Sequence, residues 1–143
     1  MTIGIAADHG GFELKSYIIK QFSMHPITDL GAFDSDRVDY PHFADKLCTL
    51  ITSNKLEKGI LICGTGIGIS MRANRYRGIR AAVVHSNYTA EMAKAHNNAN
   101  IICLGGRTTQ QDDAITFVKT WLNTPFESGR HQTRIDLIDA PLV

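Results

Sequence analysis

The sequence has few cysteines, no long apolar run and no surplus of charge of either sign. Its three cysteines in 143 residues form no Cys-x-x-Cys pair, which argues against a disulfide framework and a zinc ribbon. No apolar run approaches the roughly 18 residues that cross a bilayer, and the first residues do not resemble a secretory signal. The 15 basic and 14 acidic residues leave a net charge of +1, with no electrostatic footprint for nucleic acid or membrane. We therefore expect a soluble protein of a reducing compartment, most simply the cytoplasm, with no nucleic-acid or membrane partner.

The apolar content suits one folded domain that spans residues 1–143. Hydrophobic residues make up 43% of the chain and charged residues 20%, which is ordinary for a globular protein. A chain of this length buries roughly two thirds of the surface that its unfolded form exposes, so a core can form without disulfides.

Short apolar runs rich in β-branched residues alternate with longer segments of helical spacing. The predicted strands are Thr2–Ala7, Pro26–Leu30, Gly59–Cys63, Ile79–Val84 and Ile101–Leu104. The predicted helices are Gly11–Phe22, Pro41–Asn54, Ser86–His96 and Thr109–Leu122, followed by a polar tail, 127–143, with a short helix. This alternation predicts right-handed βαβ units and hence a doubly wound, Rossmann-like α/β sandwich with a five-stranded parallel sheet.

Polar and glycine-rich segments gather at one edge of this predicted sheet. Each follows directly after a strand, and they are Asp8–Gly11, Cys63–Gly68, His85–Ser86 and Gly105–Arg107. Because ligands of doubly wound folds bind beyond the carboxyl ends of the strands, the sequence predicts a site at this edge.

The loop that starts at Cys63 is the sharpest feature, because three glycines alternate after it. Glycine lets successive N–H groups turn toward one point and form a nest for an anion. The loop lacks the Lys of a P-loop and the glycine spacing of a dinucleotide fingerprint, and Arg72 is too distant for a cysteine phosphatase. We interpret the loop as a site for a small developing charge with Cys63 as a base or nucleophile. The alternative is a tight turn beside a buried thiol.

Two further groups each have a functional and a structural interpretation. Asp8 and His9 are either site residues or a helix cap beside a surface histidine. Arg107, Arg130 and Arg134 form either a clamp for a dianion or a set of solvated charges.

His96 and Asn97 end a predicted helix in an Asn-rich turn. This composition is typical of a capped helix end, and the functional alternative is that His96 moves protons near neutral pH. The other histidines have no spacing that demands a metal, so we expect no metal site.

Several of these motifs occur in a fixed order that covers the chain from Ile3 to about Ile138. They are Asp8-His9-Gly10-Gly11, Asp39-Tyr40-Pro41, Cys63-Gly-Thr-Gly-Ile-Gly-Ile-Ser70, His96-Asn97, Gly105-Gly-Arg107 and Gly129-Arg130-His131-x-x-Arg134. Together they resemble the type B ribose-5-phosphate isomerases, in a family that also contains galactose-6-phosphate isomerase subunits.

The resemblance implies a metal-free, cofactor-free aldose–ketose isomerase that interconverts ribose 5-phosphate and ribulose 5-phosphate through an enediolate. By that resemblance Cys63 takes the proton from sugar C2, and Thr65 moves protons between O1 and O2. His96 opens the furanose ring, assisted by Asp8 and Tyr40. The loop residues implied to hold the enediolate oxygens are Gly64, Thr65, Gly66, Ile67 and Gly68. The remaining implied ligands are Asn97 for the sugar hydroxyls, and His9, Arg107, Arg130 and Arg134 for the phosphate.

The resemblance also implies a homodimer or homotetramer whose sites draw residues from two chains. Independently, the tail carries apolar residues that need cover, so we expect it to pack on a partner chain and deliver its arginines to the partner's cysteine. These apolar residues are Ile135, Leu137, Ile138 and Leu142. Two functional alternatives stay open: an isomerase of a six-carbon phosphosugar, allose or galactose 6-phosphate, and a non-catalytic phosphosugar-binding module.

Overall fold

The computed structural model describes residues 1–23 and 25–142, and its strands form a five-stranded, all-parallel sheet. The strands are β1 (Ile3–Ala7), β2 (Ile27–Asp29), β3 (Lys58–Cys63), β4 (Ala81–Val83) and β5 (Ile101–Gly105). The helices are α1 (Phe12–Gln21), α2 (Tyr40–Thr52), α3 (Ile67–Ala73), α4 (Asn87–Ala95), α5 (Gln111–Asn123) and α6 (Arg130–Asp139). The predicted alternation of strands and helices is confirmed.

Helices cover both faces of the sheet, because successive strand residues point into two different apolar clusters. Ile60 and Ile62 of β3 belong to the cluster that contains Trp121 of α5 and residues of α1 and α4. Leu61 and Cys63 belong to the cluster beneath α2 and α3. A strand buried on both faces appears in the sequence as a continuous apolar run, as the predicted strand Gly59–Cys63 does. The doubly wound architecture is confirmed.

The two edge strands are shorter than the apolar runs that predicted them. β2 and β4 have three residues each and are only partly buried. An edge strand has one strand neighbour, so its outer polar groups need other partners. The Asn74 side chain meets this need at β4, because its amide donates to the Ala81 carbonyl (2.9 Å) and its carbonyl accepts from the Ala81 N–H (2.8 Å).

The strand order, β2-β1-β3-β5-β4, changes direction between β1 and β3. Such a reversal opens a crevice at the carboxyl ends of the two strands. β1 runs directly into Asp8, and β3 ends at Cys63. The fold therefore brings the two most unusual strand ends of the sequence to one crevice.

No helix within the described ranges combines the length and the apolar character needed to cross a membrane.

Candidate active site

The loops after β1, β3 and β5 converge at the carboxyl edge of the sheet. The Gly106 N–H donates to the Cys63 carbonyl (2.8 Å), which ties the β5 loop to the β3 loop. A side chain at Gly106 would collide with the Gly10 carbonyl of the β1 loop. Glycine at this position therefore lets three backbone segments approach one another, and the predicted gathering of motifs at this edge is confirmed.

Cys63 lies at the centre of this convergence, with its thiol facing the glycine loop. Its Sγ accepts a hydrogen bond from the Gly66 N–H at 3.2 Å. Gly66 has φ +80°, and the Leu104 backbone lies 3.0 Å from where a Cβ would stand, so conformation and space both require glycine there. Burial raises the pKa of the nearby Cys103 thiol, which keeps that cysteine protonated.

The loop carries the Thr65 hydroxyl and leads directly into α3. The Thr65 Oγ1 accepts from the Ile67 N–H at 3.2 Å, and Thr65 is exposed. The Gly68 N–H belongs to the first turn of α3, where backbone donors have no intrahelical acceptor. One backbone donor of the loop, the Gly66 N–H, therefore reaches the thiol, whereas the Ile67 N–H donates to Thr65.

Asp8 and His9 sit on the β1 side of the crevice. Asp8 is 5% exposed, and its Oδ1 accepts from the Gly10 N–H at 2.8 Å. The alternative of Asp8 as a helix cap is wrong, because α1 starts after Gly11 and receives no side-chain cap. The His9 Nδ1 accepts from the Val38 N–H at 3.2 Å, which places the proton of the neutral ring on Nε2. His9 can therefore donate to an anion.

Tyr40 and Arg107 flank the glycine loop on opposite sides. Tyr40 begins α2, and its hydroxyl lies 2.5 Å from where a Cβ on Gly68 would stand. The Arg107 Nη1 lies 2.8 Å from the corresponding point on Gly64, and the Arg107 backbone N–H donates to the Gly64 carbonyl at 3.0 Å. Each glycine therefore gives a long polar side chain access to the loop.

His96 and Asn97 lie at the other edge of the sheet. Helix α4 starts after β4, at a capping box that Ser86 forms with Thr89, and it ends at His96, just before β5 begins. The Asn100 carbonyl accepts from the Gly59 N–H near the start of β3. The five residues of β5 separate the two edges by about 13 Å, at a rise of about 3.3 Å per residue. Within one chain, His96 and Cys63 are not in one site.

The tail joins this second edge. The Glu127 N–H donates to the Ala95 carbonyl (3.0 Å), which fixes the start of the tail at the end of α4. Arg130 and Arg134, both exposed, follow on α6. Within one chain these two arginines do not lie beside Arg107, because Arg107 follows the carboxyl end of β5; the predicted clamp of all three therefore stays a prediction that involves a second chain.

The apolar residues of the tail are only partly covered by their own chain. Ile135 is 3% exposed, so the expectation that it needs a partner is wrong. Leu137 is 72% exposed, Ile138 58% and Leu142 99%. These three side chains keep the need for cover that the sequence predicts.

The structure adds three residues that the sequence analysis did not place in a site. His131 stacks on His96, with ring centroids 4.1 Å apart and planes 13° from parallel, and Glu127 lies beside both rings. Arg80 donates to the Asn97 carbonyl (3.0 Å) and to the Asp139 carboxylate (2.7 Å), which ties the turn after His96 to the end of α6. The four-residue spacing of Glu127 and His131 was the signal in the sequence that could have predicted their contact.

The fold and the site define a doubly wound α/β protein whose thiol lies in a glycine loop beside candidate anion ligands. The sequence matches the Ribose/Galactose Isomerase family over residues 3–138. The chain belongs to that family, and the resemblance stated from its motifs is confirmed.

Individual relatives agree along the whole chain. The chain is 40% identical to ribose-5-P isomerase B of Listeria innocua, over 97% of this chain and 95% of that protein. It superimposes on the ribose-5-phosphate isomerase B of Clostridium thermocellum with a TM-score of 0.95 at 44% identity, covering 97% of this chain and 95% of that one. For the Mycoplasma genitalium enzyme, solved with bound ribulose-5-phosphate, the TM-score is 0.92 at 42% identity, covering 96% and 93%.

Proposed function

We propose that this protein is a ribose-5-phosphate isomerase that interconverts ribose 5-phosphate and ribulose 5-phosphate through an enediolate, with Cys63 as the base. The observation that carries the proposal is the position of the Cys63 thiol, which lies at the end of β3 and accepts from the Gly66 N–H of the glycine loop at 3.2 Å. The names of the relatives and the ketose bound to the Mycoplasma genitalium enzyme support the choice of substrate.

The chemistry needs a base, a site for negative charge and a proton carrier. In the aldose direction, the Cys63 thiolate takes the proton from C2 of the open-chain sugar, and the electron pair moves to the carbonyl oxygen O1. Backbone N–H groups of 64–68 stabilise the enediolate oxygens, a contribution commonly worth ~3 kcal/mol per donor. Thr65 carries the proton from O2 to O1. The Cys63 thiol then returns its proton to C1, which leaves the ketone at C2 and completes the ketose.

Substrate binding and ring opening require residues from both edges of the sheet. His9 and Arg107 offer phosphate donors on the thiol side, and Arg130 and Arg134 offer two more on the far edge. His96 opens the furanose by moving a proton from the anomeric hydroxyl to the ring oxygen. Asp8 and Tyr40 assist from the thiol side, and Asn97 contacts the sugar hydroxyls.

The distance between the edges means that a complete site needs two chains. One chain supplies Cys63, its loop and the residues beside it, and a second copy supplies His96, Asn97 and the arginines of α6. The exposed Leu137, Ile138 and Leu142 support this arrangement, because a partner that receives the tail also covers them. Dimers and tetramers both satisfy this requirement.

Exchange of the sugar's carbon-bound protons with solvent tests the proposal. We expect the protein to incorporate deuterium at C2 of ribose 5-phosphate in D2O, as followed by NMR, and Cys63→Ala to abolish the incorporation. Cys48→Ala is the matched control, because Cys48 is a buried thiol on α2. A phosphosugar-binding module would bind ribose 5-phosphate without exchange, and that result would exclude the isomerase.

A substrate panel tests the pentose assignment. One extra carbon in a pocket changes the free energy of the transition state by only ~1–3 kcal/mol, which is roughly 10- to 200-fold in kcat/KM. Both sugar classes must therefore be measured on the same preparation. We expect ribose 5-phosphate to be preferred over allose 6-phosphate and galactose 6-phosphate. A higher kcat/KM for either hexose phosphate would reassign the substrate while leaving the Cys63 chemistry in place.

A further inference from the structure

A cluster of titratable side chains at the end of α4 contains two residues that the proposed function does not use, Glu127 and His131. The His131 Nε2 lies 3.5 Å from the Glu127 carboxylate, and the His96 Nε2 lies 3.8 Å from the same group. His131 is 5% exposed, whereas the His96 side chain is 36% exposed. The buried ring therefore lies behind the accessible one.

The His131 ring nitrogen is unusual because it is buried without a hydrogen bond. Within the described part of the chain, its Nε2 is the buried side-chain polar atom that has no hydrogen-bond partner. Buried polar groups are normally paired, so such an atom needs an explanation. The stack supplies one, since the ring is turned to present its flat face to His96 rather than its nitrogen to an acceptor.

A shared metal ion does not explain this cluster. The three side chains bring one ligand atom each to within 4.8 Å of one another, which is close enough to consider a metal. An imidazole binds a metal in the plane of its ring, about 2.0–2.1 Å from the nitrogen for zinc. Two stacked rings only 13° from parallel have no common point near both nitrogens, so joint coordination would break the stack.

The charges around His131 favour an uncharged ring. The groups that face it are His96 at the end of α4, Glu127 in the preceding turn, and Arg130 and Arg134 on α6 itself. Burial, then His96 and Arg130, lower the pKa of His131 below its ordinary value of 6.5, and Glu127 opposes them. A neutral His131 can support His96 without repelling a proton that His96 takes up.

We infer that His131 and Glu127 are positioning residues for His96: the buried ring supports one face of the His96 imidazole, and the carboxylate holds its Nε2 edge. The accessible remainder of the His96 ring is then presented to the sugar in one orientation. This inference rests on the proposed role of His96 in opening the ring. It assigns to the Gly-Arg-His motif a second task besides phosphate binding.

The test separates ring opening from proton abstraction. We expect His131→Ala to lower kcat for ribose 5-phosphate by about tenfold, less than the ~10²-fold that a 1 Å misplacement of a reacting group can cost, because His96 itself remains in place. Deuterium exchange at C1 of ribulose 5-phosphate needs the Cys63 step but no ring, and it should stay within about twofold of native. His131→Phe keeps a flat face against His96, and it should recover most of the lost activity. Glu127→Gln should show the same selectivity with a smaller loss.

Binding of inorganic phosphate controls for a displaced α6, because His131 lies between the two arginines of the tail. We expect phosphate to inhibit His131→Ala and the native enzyme equally. Parallel loss of turnover, C1 exchange and phosphate binding would overturn the inference, as would native turnover in His131→Ala. If His96→Ala itself shows no selective loss of ring opening, the proposed role of His96 in ring opening fails and this inference fails with it, while the Cys63 chemistry is judged separately by deuterium exchange. If His96→Ala shows that loss and His131→Ala does not, only this inference fails.

Discussion

The two edges of the sheet are built in different ways. At the carboxyl edge, Gly10 and Gly106 let three loops pack backbone against backbone, and the Cys63 thiol accepts a hydrogen bond from the Gly66 N–H. The other edge is built from side chains: the stacked rings of His96 and His131 and the carboxylate of Glu127. Two exposed arginines of α6 lie beside them in the sequence. The first edge is complete within one chain, and the second presents functional groups outward. The contrast supports the proposal that the first edge carries the base and its loop and that the second supplies the remaining site residues to a neighbouring chain.

The largest loss of activity should come from a substitution at the carboxyl edge of the sheet. We expect Cys63→Ala to lower kcat by several orders of magnitude while the protein folds normally, because the change is small and the surrounding backbone contacts remain. Steady-state kinetics with ribose 5-phosphate and circular dichroism measure the two properties. Near-native kcat in Cys63→Ala would assign the base to another residue.

Mixing two impaired variants, with the residual activity of each variant alone subtracted, tests directly whether the two edges meet across chains. Cys63→Ala and Arg134→Ala chains, mixed equally after dissociation and reassociation, should regain about a quarter of native activity. Half of the dimers are then mixed, and each mixed dimer contains one site free of lesions. His96→Ala should complement Cys63→Ala equally well, because His96 lies on the same edge as Arg134.

A control pair completes the mixing experiment. His96→Ala mixed with Arg134→Ala should give no recovery, since both changes fall in the same half of the site and every mixed site keeps one lesion. Mass spectrometry must confirm that subunits exchange. Recovery in this pair, or none in the other two, would contradict the division into two edges.

Removal of a phosphate ligand should have the next largest effect. A charge-assisted contact is worth roughly 1.5–3 kcal/mol, so Arg134→Ala should lower kcat/KM for ribose 5-phosphate roughly 10- to 150-fold. Weak turnover of unphosphorylated ribose should hardly change. Lys119→Ala, which removes an exposed basic side chain on α5, is the matched control. Equal losses on both sugars would show that Arg134 does not bind the phosphate.

Loss of His96 should have a smaller and selective effect. We expect His96→Ala to lower initial rates at saturation with the cyclic aldose more than with ribulose 5-phosphate, which cannot close to a furanose. The equilibrium constant is unchanged by any enzyme variant, so only rates before equilibrium are informative. Equal losses at saturation in both directions would place His96 in the isomerisation step instead.

The two edges also differ in how far the sequence predicted them. Glycines separated by one residue after a buried strand leave a local signal, and Gly64, Gly66 and Gly68 were placed correctly beside Cys63. The stack of His96 on His131 joins residues 35 positions apart and leaves no periodic signal. The ends of β4 were missed for a similar reason, because the Asn74 side chain replaces a strand as the partner of Ala81. Side-chain contacts between distant segments depend on tertiary packing, which local patterns do not encode.

The smallest expected effect concerns stability at acid pH. Burial lowers the pKa of His131 in the folded chain, so below about pH 6.5 the unfolded chain binds more protons than the folded one at this residue. His131 should therefore make stability rise with pH up to that value and fall as the pH drops below it. We expect His131→Phe to reduce proton uptake on unfolding by less than about one proton per chain. Urea unfolding between pH 5 and 8, at one fixed chain concentration because assembly shifts apparent stability, measures the difference.

Thr133→Ala, an exposed change on α6, should leave the native pH dependence intact. An unchanged slope in His131→Phe would mean that His131 takes up its proton equally well in the folded chain, and the neutral stack would then be wrong.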